Sequence, residues 1–82
     1  MKKVAIYTTP ICTYCQMTKE FFKQNGVEYS EYDVAADVAR RQEMVDKTGQ
    51  MGVPVISVTE EDGEEHLIVG FDKGGLSAAL GI

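Results

Sequence analysis

The N-terminal part of the chain contains a change of hydrophobic period that limits the folds it can adopt. Residues Lys3–Thr8 form a nearly continuous apolar run, which is typical of a strand covered on both faces of a sheet. From residue 13 to residue 24 the apolar side chains recur at helical spacing, and the pair Asn25-Gly26 then ends the pattern. The sequence therefore predicts a central strand that passes within a few residues into an amphipathic helix. The side chains predicted to face inward from this helix are Tyr14, Met17, Thr18, Phe21 and Phe22.

Two cysteines, Cys12 and Cys15, stand where this strand passes into the helix. Unpaired backbone N–H groups and the positive end of the helix dipole stabilise an anion at a helix N-terminus, so we expect Cys12 to hold its sulfur as a thiolate. Cys15 lies one turn further along the same helix face, and we expect it to be shielded from solvent behind Cys12. The spacing predicts a pair that cycles between dithiol and disulfide, in which Cys12 attacks and Cys15 resolves the mixed disulfide.

A purely structural or metal-binding role suits the cysteine pair less well. A structural disulfide between such near neighbours would close only a small loop and would constrain the unfolded chain little. A zinc site would need two more ligands, and beyond the two cysteines the chain offers His66 as its only histidine. We therefore favour redox chemistry and expect no bound metal.

The remainder of the chain continues the alternation of strands and helices. Asp37 and Asp72 are suited to cap two further helices, and Asp62-Gly63 is a hairpin signal between two strands. The resulting order is β-α-β-α-β-β-α, an α/β fold in a single domain that spans residues 1–82. The elements predicted after the first helix are a strand over 27–34, a helix over 37–48, strands over 53–58 and 66–69, and a helix over Lys73–Leu80.

The second predicted helix has a less regular apolar face than the first. Glu43 and Lys47 are spaced to form an ion pair on its outer side, Arg40 and Arg41 are expected to be solvated, and Gly49 is suited to end it. The residues predicted to face inward are Val38, Ala39, Met44 and Val45.

The net charge of −5 is concentrated in one short segment. Residues 60–65 contain five of the 13 acidic side chains, and the other eight are balanced by eight Lys and Arg. No basic stripe is left to neutralise phosphates, so nucleic-acid binding is not expected. No apolar run approaches the roughly 20 residues that cross a bilayer, and the first run is too short for a secretory signal. We expect a cytoplasmic monomer that does not bind membranes.

Three segments of the chain resemble the glutaredoxin family. Cys12-Thr13-Tyr14-Cys15 matches the family's C-P-Y-C, Gly52-Val53-Pro54 matches its T-V-P, and Val69-Gly70-Phe71-Asp72 matches its G-G-x-D region. The resemblance implies a thioredoxin-like fold with a four-stranded mixed sheet flanked by three helices. It also implies a thiol–disulfide oxidoreductase that has no permanently bound cofactor, uses glutathione as its reductant, and acts on disulfide-containing or glutathionylated proteins.

The resemblance further implies where glutathione binds. Pro54 would follow a cis peptide bond and face the cysteines, and the backbone of Val53 would pair with the cysteinyl part of glutathione. Asp72 and the N–H groups at its helix start would hold the γ-glutamyl end, while Tyr14 and Gln50 would flank the glycyl end. The glutathione-binding residues implied in this way are Thr13, Tyr14, Gln50, Val53, Pro54, Gly70, Phe71 and Asp72.

Four positions depart from the family pattern, and they leave two alternative functions open. Thr9 stands where a lysine is often found, Gln50 replaces a residue that is commonly basic, and Val69 replaces the first glycine of its pair. The same family residues are also missing in glutaredoxin-like redoxins, which take electrons from thioredoxin reductase and serve ribonucleotide reductase. Thr13 replaces a proline, and some family members without that proline carry a [2Fe–2S] cluster between two protomers with the help of glutathione.

Overall fold

A computed structural model describes residues 2–82, which form four strands and three helices in the predicted order. No helix in that part of the chain combines the length and the apolar character needed to cross a membrane. The second and third strands begin three and two residues later than predicted. The elements are β1 (Lys3–Thr8), α1 (Thr13–Gln24), β2 (Ser30–Asp33), α2 (Val38–Thr48), β3 (Val55–Thr59), β4 (Glu65–Val69) and α3 (Lys73–Leu80).

The four strands form one mixed sheet in the order β2-β1-β3-β4. β1 pairs in parallel with β2 and antiparallel with β3, and β4 is antiparallel to β3. Tyr7 lies opposite Val55, and Val55 lies opposite Val69. The end of β1, the start of β3 and the end of β4 therefore meet at one end of the sheet, here called the upper end. The acidic hairpin between β3 and β4 lies at the other end.

Buried side chains form a core on each face of the sheet. On one face the strands pack against Phe22 of α1 and Leu76 of α3, and on the other face Tyr7, Val34 and Val55 pack against Met44 of α2. Consecutive residues of β1 point to opposite faces, which explains why its sequence is apolar throughout. The larger core contains Val4, Ile6, Phe22, Ile56, Val58 and Leu76.

The buried face of α1 differs from the predicted one. Cys15, Thr18 and Phe22 are buried, whereas Tyr14 and Met17 are exposed. Thr18 can occupy a core position because its hydroxyl donates to the carbonyl of Tyr14 within the helix, over 2.8 Å, so that no polar atom is left unpaired.

Helix α2 also corrects part of the prediction. Met44 is buried and Val45 is half-buried, but Val38 and Ala39 are exposed. Arg40, expected to be solvated, is half-buried because its guanidinium stacks 4.0 Å from the centre of the Tyr32 ring and pairs with Glu43.

The predicted helix caps are confirmed. The carboxylate of Asp37 accepts a hydrogen bond from the N–H of Arg40, and that of Asp72 accepts one from Gly75, each over 3.0 Å. Gly49 ends α2 in the left-handed conformation, which favours glycine. These caps fix where α2 and α3 begin, and α3 begins at the upper end of the sheet.

Candidate active site

Cys12 occupies the N-cap position of α1, as expected. Its backbone is extended, and its N–H donates to the carbonyl of Thr9 over 3.3 Å. Its sulfur accepts a hydrogen bond from the backbone N–H of Cys15 over 3.0 Å. Because this donor stands in the first turn of the helix, the sulfur lies where a negative charge is stabilised by both the hydrogen bond and the helix dipole.

Cys15 lies behind Cys12 in the core. Its side chain is 0% exposed, whereas Cys12 is half-buried. The two sulfurs are joined in a disulfide. A substrate approaching from solvent therefore meets Cys12 first, and Cys15 is within bonding distance of it.

The Val53–Pro54 peptide bond is cis, as the resemblance implies. Pro54 is buried, and its carbonyl accepts a hydrogen bond from the N–H of Gly70 over 2.8 Å. Val53 is half-buried, and its own N–H and C=O form no hydrogen bond with the protein within residues 2–82. Since β3 starts directly after Pro54, this backbone edge lies at the upper end of the sheet, as Cys12 does.

Gln50 has a role that the sequence did not suggest. Its side-chain oxygen accepts from the N–H of Gly52 over 2.6 Å, and its side-chain nitrogen donates to the carbonyl of Gly52 over 3.1 Å. The same nitrogen lies 3.4 Å from the hydroxyl of Thr48. The side chain is thus folded back onto its own loop. A pairing with a backbone two residues away leaves no periodic signal that would have revealed it.

The remaining predicted ligand residues lie at or near the upper end of the sheet. Asp72 is exposed at the start of α3, Gly70 precedes it with φ +86°, and the half-buried Phe71 ring packs against Phe21 with 6.1 Å between ring centres. Thr13 and Tyr14 begin α1, both exposed, with Tyr14 61% exposed.

The segments that meet around Cys12 carry no charged side chain. Residues 8–16, 48–59 and 67–71 contain no Lys, Arg, Asp or Glu. Four large hydrophobic side chains in them are more than half exposed: Ile11 at 94%, Met51 at 67%, Tyr14 at 61% and Val69 at 53%. Apart from Asp72 and Lys73 at the start of α3, the surroundings of Cys12 are therefore uncharged and partly apolar, while the excess negative charge lies at the far end of the sheet.

A network of polar side chains joins α2 to the sheet. The hydroxyl of Tyr7 donates to Glu43 over 2.5 Å, and burial together with this bond raises the pKa of Tyr7 to about 12. The hydrogen bond from Tyr7 lowers the pKa of the Glu43 carboxyl. Lys47 donates to Glu65 over 2.8 Å, which lowers the pKa of that carboxyl, and Ser57 also donates to it. The network holds in place the helix that leads into the Gln50–Pro54 loop.

The part of the chain that the structure describes contains no cluster of three or more His, Cys, Asp or Glu side chains arranged to hold a metal ion. His66 is a partly exposed strand residue, as expected, and its Nε2 lies 3.6 Å from a carboxylate oxygen of Glu60.

Comparisons with known proteins show glutaredoxins and thioredoxin-like proteins as relatives. The Glutaredoxin family model matches residues 4–62. The chain is 41% identical, over 77 residues, to an uncharacterised glutaredoxin-like 8.6 kDa protein in a rubredoxin operon of Clostridium pasteurianum, covering 94% of this chain and 96% of that protein. It is 32% identical over 82 residues to Glutaredoxin 3 of Escherichia coli K12, covering 98% and 99% of the two chains. A crystal structure of a mutant of the thioredoxin-like protein BC3987 superimposes with a TM-score of 0.82 at 32% identity, covering 100% and 99% of the two chains.

Proposed function

The chain belongs to the glutaredoxin family and is a thiol–disulfide oxidoreductase, and on that basis we propose that it uses glutathione to reduce protein disulfides and glutathione mixed disulfides. The observation that carries the proposal is the asymmetry of the cysteine pair. Cys12 is half-buried and its sulfur accepts an N–H at a helix start, whereas Cys15 is fully buried behind it. One sulfur is thus suited to attack and the other to resolve.

The reaction consists of two exchanges. The thiolate of Cys12 attacks one sulfur of the substrate disulfide, a Cys12–substrate disulfide forms, and the other substrate sulfur leaves as a thiolate that takes up a proton. Cys15 then loses its proton and attacks Cys12, so the Cys12–Cys15 disulfide forms and the second substrate thiol is released. The enzyme pair is oxidised by two electrons and the substrate is reduced by two.

Glutathione restores the dithiol in the same way. One glutathione thiolate attacks Cys12 and releases Cys15 as a thiol, and a second glutathione attacks the mixed disulfide and leaves as oxidised glutathione. The unpaired backbone of Val53 supports a pairing with the cysteinyl part of this peptide. The start of α3 at Asp72, with Gly70 and Phe71, supports binding of its γ-glutamyl end. Thr13 and Tyr14 follow Cys12 in the first turn of α1.

The partners and the compartment follow from this chemistry. Glutathionylated or disulfide-bonded proteins are the substrates, and no resident cofactor is required because glutathione is consumed as a reactant. A dithiol that must be re-reduced needs reducing surroundings, so we place the protein in the cytoplasm, where it acts as a monomer.

A second candidate is a redoxin that thioredoxin reductase reduces and that serves ribonucleotide reductase. Two observations favour it: the side chain of Gln50 is already bonded to Gly52, and Thr9 supplies no cation for a glutathione carboxylate. The neutral, apolar surroundings of Cys12 also suit contact with a protein.

The experiment that decides between the two reductants starts from the oxidised protein. NADPH consumption is followed in the presence of a disulfide-bonded protein as the substrate that reoxidises the pair, with glutathione and glutathione reductase in one assay and with thioredoxin reductase alone in the other. We expect turnover in the first assay. Turnover in the second assay alone would contradict glutathione dependence and establish the second candidate, and Cys12→Ser should be inactive in both.

A further inference from the structure

The loop between α2 and β3 is held by the side chains of Thr48 and Gln50, and only that of Gln50 reaches Gly52. Of the residues between Gly49 and Pro54, only Gln50 and Gly52 form hydrogen bonds to the described chain, and each of these bonds involves Gln50. Met51 is exposed, and the backbone of Val53 forms no hydrogen bond to the described residues. The position of the Val53 edge therefore depends on how firmly Gln50 holds Gly52.

The hydrogen-bonding capacity of the Gln50 amide is almost fully used. Its oxygen accepts from Gly52, and its two N–H groups are directed to the carbonyl of Gly52 and the hydroxyl of Thr48. To bind a carboxylate of a ligand, the amide would have to give up at least one of these bonds.

Gly52 is shaped to receive this contact. A Cβ atom placed on Gly52 would lie 2.7 Å from the side-chain oxygen of Gln50, so a larger residue at position 52 would make the Gln50 amide shift from this position. Gln50 and Gly52 are thus matched, because the absence of a side chain at Gly52 leaves room for the amide of Gln50.

We propose that Gln50 is a positioning residue that fixes the Gly52 peptide and thereby presents the backbone of Val53 to peptide disulfides. The proposal rests on the proposed function in one respect, that Val53 pairs with the backbone of the substrate cysteine. It replaces the direct contact with the glycyl carboxylate of glutathione that the family resemblance implies for Gln50. A loop that shifts misplaces the substrate sulfur in front of Cys12 without altering Cys12 itself.

Three disulfides distinguish this role from a carboxylate contact and from a general structural role. Oxidised glutathione is a peptide disulfide with carboxylates, the disulfide dimer of N-acetylcysteine N-methylamide has a peptide backbone but no carboxylate, and bis(2-hydroxyethyl) disulfide has neither. Each is mixed with protein reduced by dithiothreitol and desalted. Formation of the Cys12–Cys15 disulfide is followed by rapid quenching, thiol alkylation and mass spectrometry, as a function of substrate concentration. No external reductant takes part.

We expect Gln50→Ala to lower the rate of Cys12–Cys15 disulfide formation by about 10-fold or more with both peptide disulfides, because substrate binding is weaker. With bis(2-hydroxyethyl) disulfide the rate should stay within about 2-fold of that of the parent protein. Gln50→Glu keeps the acceptor for the N–H of Gly52 but loses both donors, so it should fall between Ala and the parent protein. Gln24→Ala, an exposed glutamine at the end of α1, is the matched control and should change none of the three rates.

Each of the remaining outcomes overturns the proposal. A loss confined to oxidised glutathione would make Gln50 a carboxylate ligand, an equal loss on all three disulfides would indicate a general structural role, and no loss would remove any role. Failure of the proposed glutathione dependence is seen separately, as an oxidised parent protein that glutathione does not reduce.

Discussion

The backbone N–H of Cys15 donates a hydrogen bond to the sulfur of Cys12 across 3.0 Å. The second cysteine therefore acts on the first twice: its backbone holds the sulfur at the helix start, and its side chain stands behind as the resolving thiol. The two contributions belong to different atoms, so a side-chain substitution at Cys15 separates them.

We expect Cys15→Ser to retain reduction of glutathione mixed disulfides and to lose at least about 10-fold in reduction of protein disulfides, because the backbone donor remains while the resolving sulfur is gone. Cys12→Ser should abolish both activities. The two are measured with a glutathionylated peptide and with a disulfide-bonded protein. Equal losses on both substrates in Cys15→Ser would contradict its assignment as the resolving residue.

The elements that could be predicted from the sequence are those fixed by local pattern. The apolar run of β1 and the caps at Asp37, Gly49 and Asp72 placed the strand and the helix ends within a residue or two. The prediction that Tyr14 faces inward from α1 was wrong, because hydrophobicity alone does not show which of two adjacent helix faces meets the sheet.

The contacts that could not be predicted join residues by side-chain geometry. Tyr7 and Glu43 are 36 positions apart, and only the folded chain brings the hydroxyl to the carboxylate. The bonds from Gln50 to Gly52 span two residues but follow no period. Sequence reasoning therefore located the cysteines and the end of the sheet at which they act, and missed the side chains that hold the neighbouring loop.

We expect Tyr7→Phe to reduce the free energy of unfolding by about 1.5 kcal/mol or more, because it removes a hydrogen bond to a charged acceptor beneath α2. The measurement is urea unfolding followed by circular dichroism. Tyr29→Phe is the matched control, since the Tyr29 hydroxyl makes no hydrogen bond within residues 2–82. A Tyr7→Phe protein no less stable than this control would show that the bond to Glu43 contributes nothing.

The same bond predicts a loss of stability at high pH. Folding raises the pKa of Tyr7 from 10.0 to about 12, so the folded protein binds this proton more tightly than the unfolded chain does. The contribution of the Tyr7 hydroxyl to the free energy of unfolding is complete below pH 10 and is lost as the pH rises toward about 12. The free energy of unfolding, measured from pH 9 to pH 11.5, should fall less steeply in Tyr7→Phe. Parallel curves would contradict the assignment.

The carboxylates of the network predict the opposite dependence in acid. Lys47 lowers the pKa of Glu65, and Tyr7 lowers that of Glu43, below the ordinary value of 4.5. Both carboxylates bind protons more weakly in the folded state, so their contribution is complete above pH 4.5 and is lost as the pH falls through the lower folded values. Glu65→Gln should flatten this acid limb of unfolding, whereas the exposed Glu20→Gln should not.

Asp37 and Asp72 allow capping to be separated from ligand binding, because both accept the same 3.0 Å bond at a helix start. Replacing either by alanine should cost about 1 kcal/mol of stability. Asp72→Ala and Asp72→Asn should in addition raise KM for glutathione, and Asp72→Asn should do so while keeping the helix cap. Asp37→Ala should leave KM for glutathione unchanged. An unchanged KM in both Asp72 variants would contradict the proposed contact with the γ-glutamyl end.

The last prediction concerns the cation that the site lacks. Thr9 is half-buried, and its carbonyl accepts the N–H of Cys12, so the backbone at this position adjoins the residue that carries the attacking sulfur. The segments around Cys12 carry no charge, so an added ammonium there meets no carboxylate of those segments. We expect Thr9→Lys to lower KM for glutathione by up to about 5-fold, the effect of an exposed ion pair of roughly 1 kcal/mol, and to do so less at high salt. Thr9→Gln, which is similar in length but uncharged, should leave KM unchanged. Equal effects of Lys and Gln, or no effect of either, would show that the missing charge does not limit glutathione binding and would favour a protein reductant.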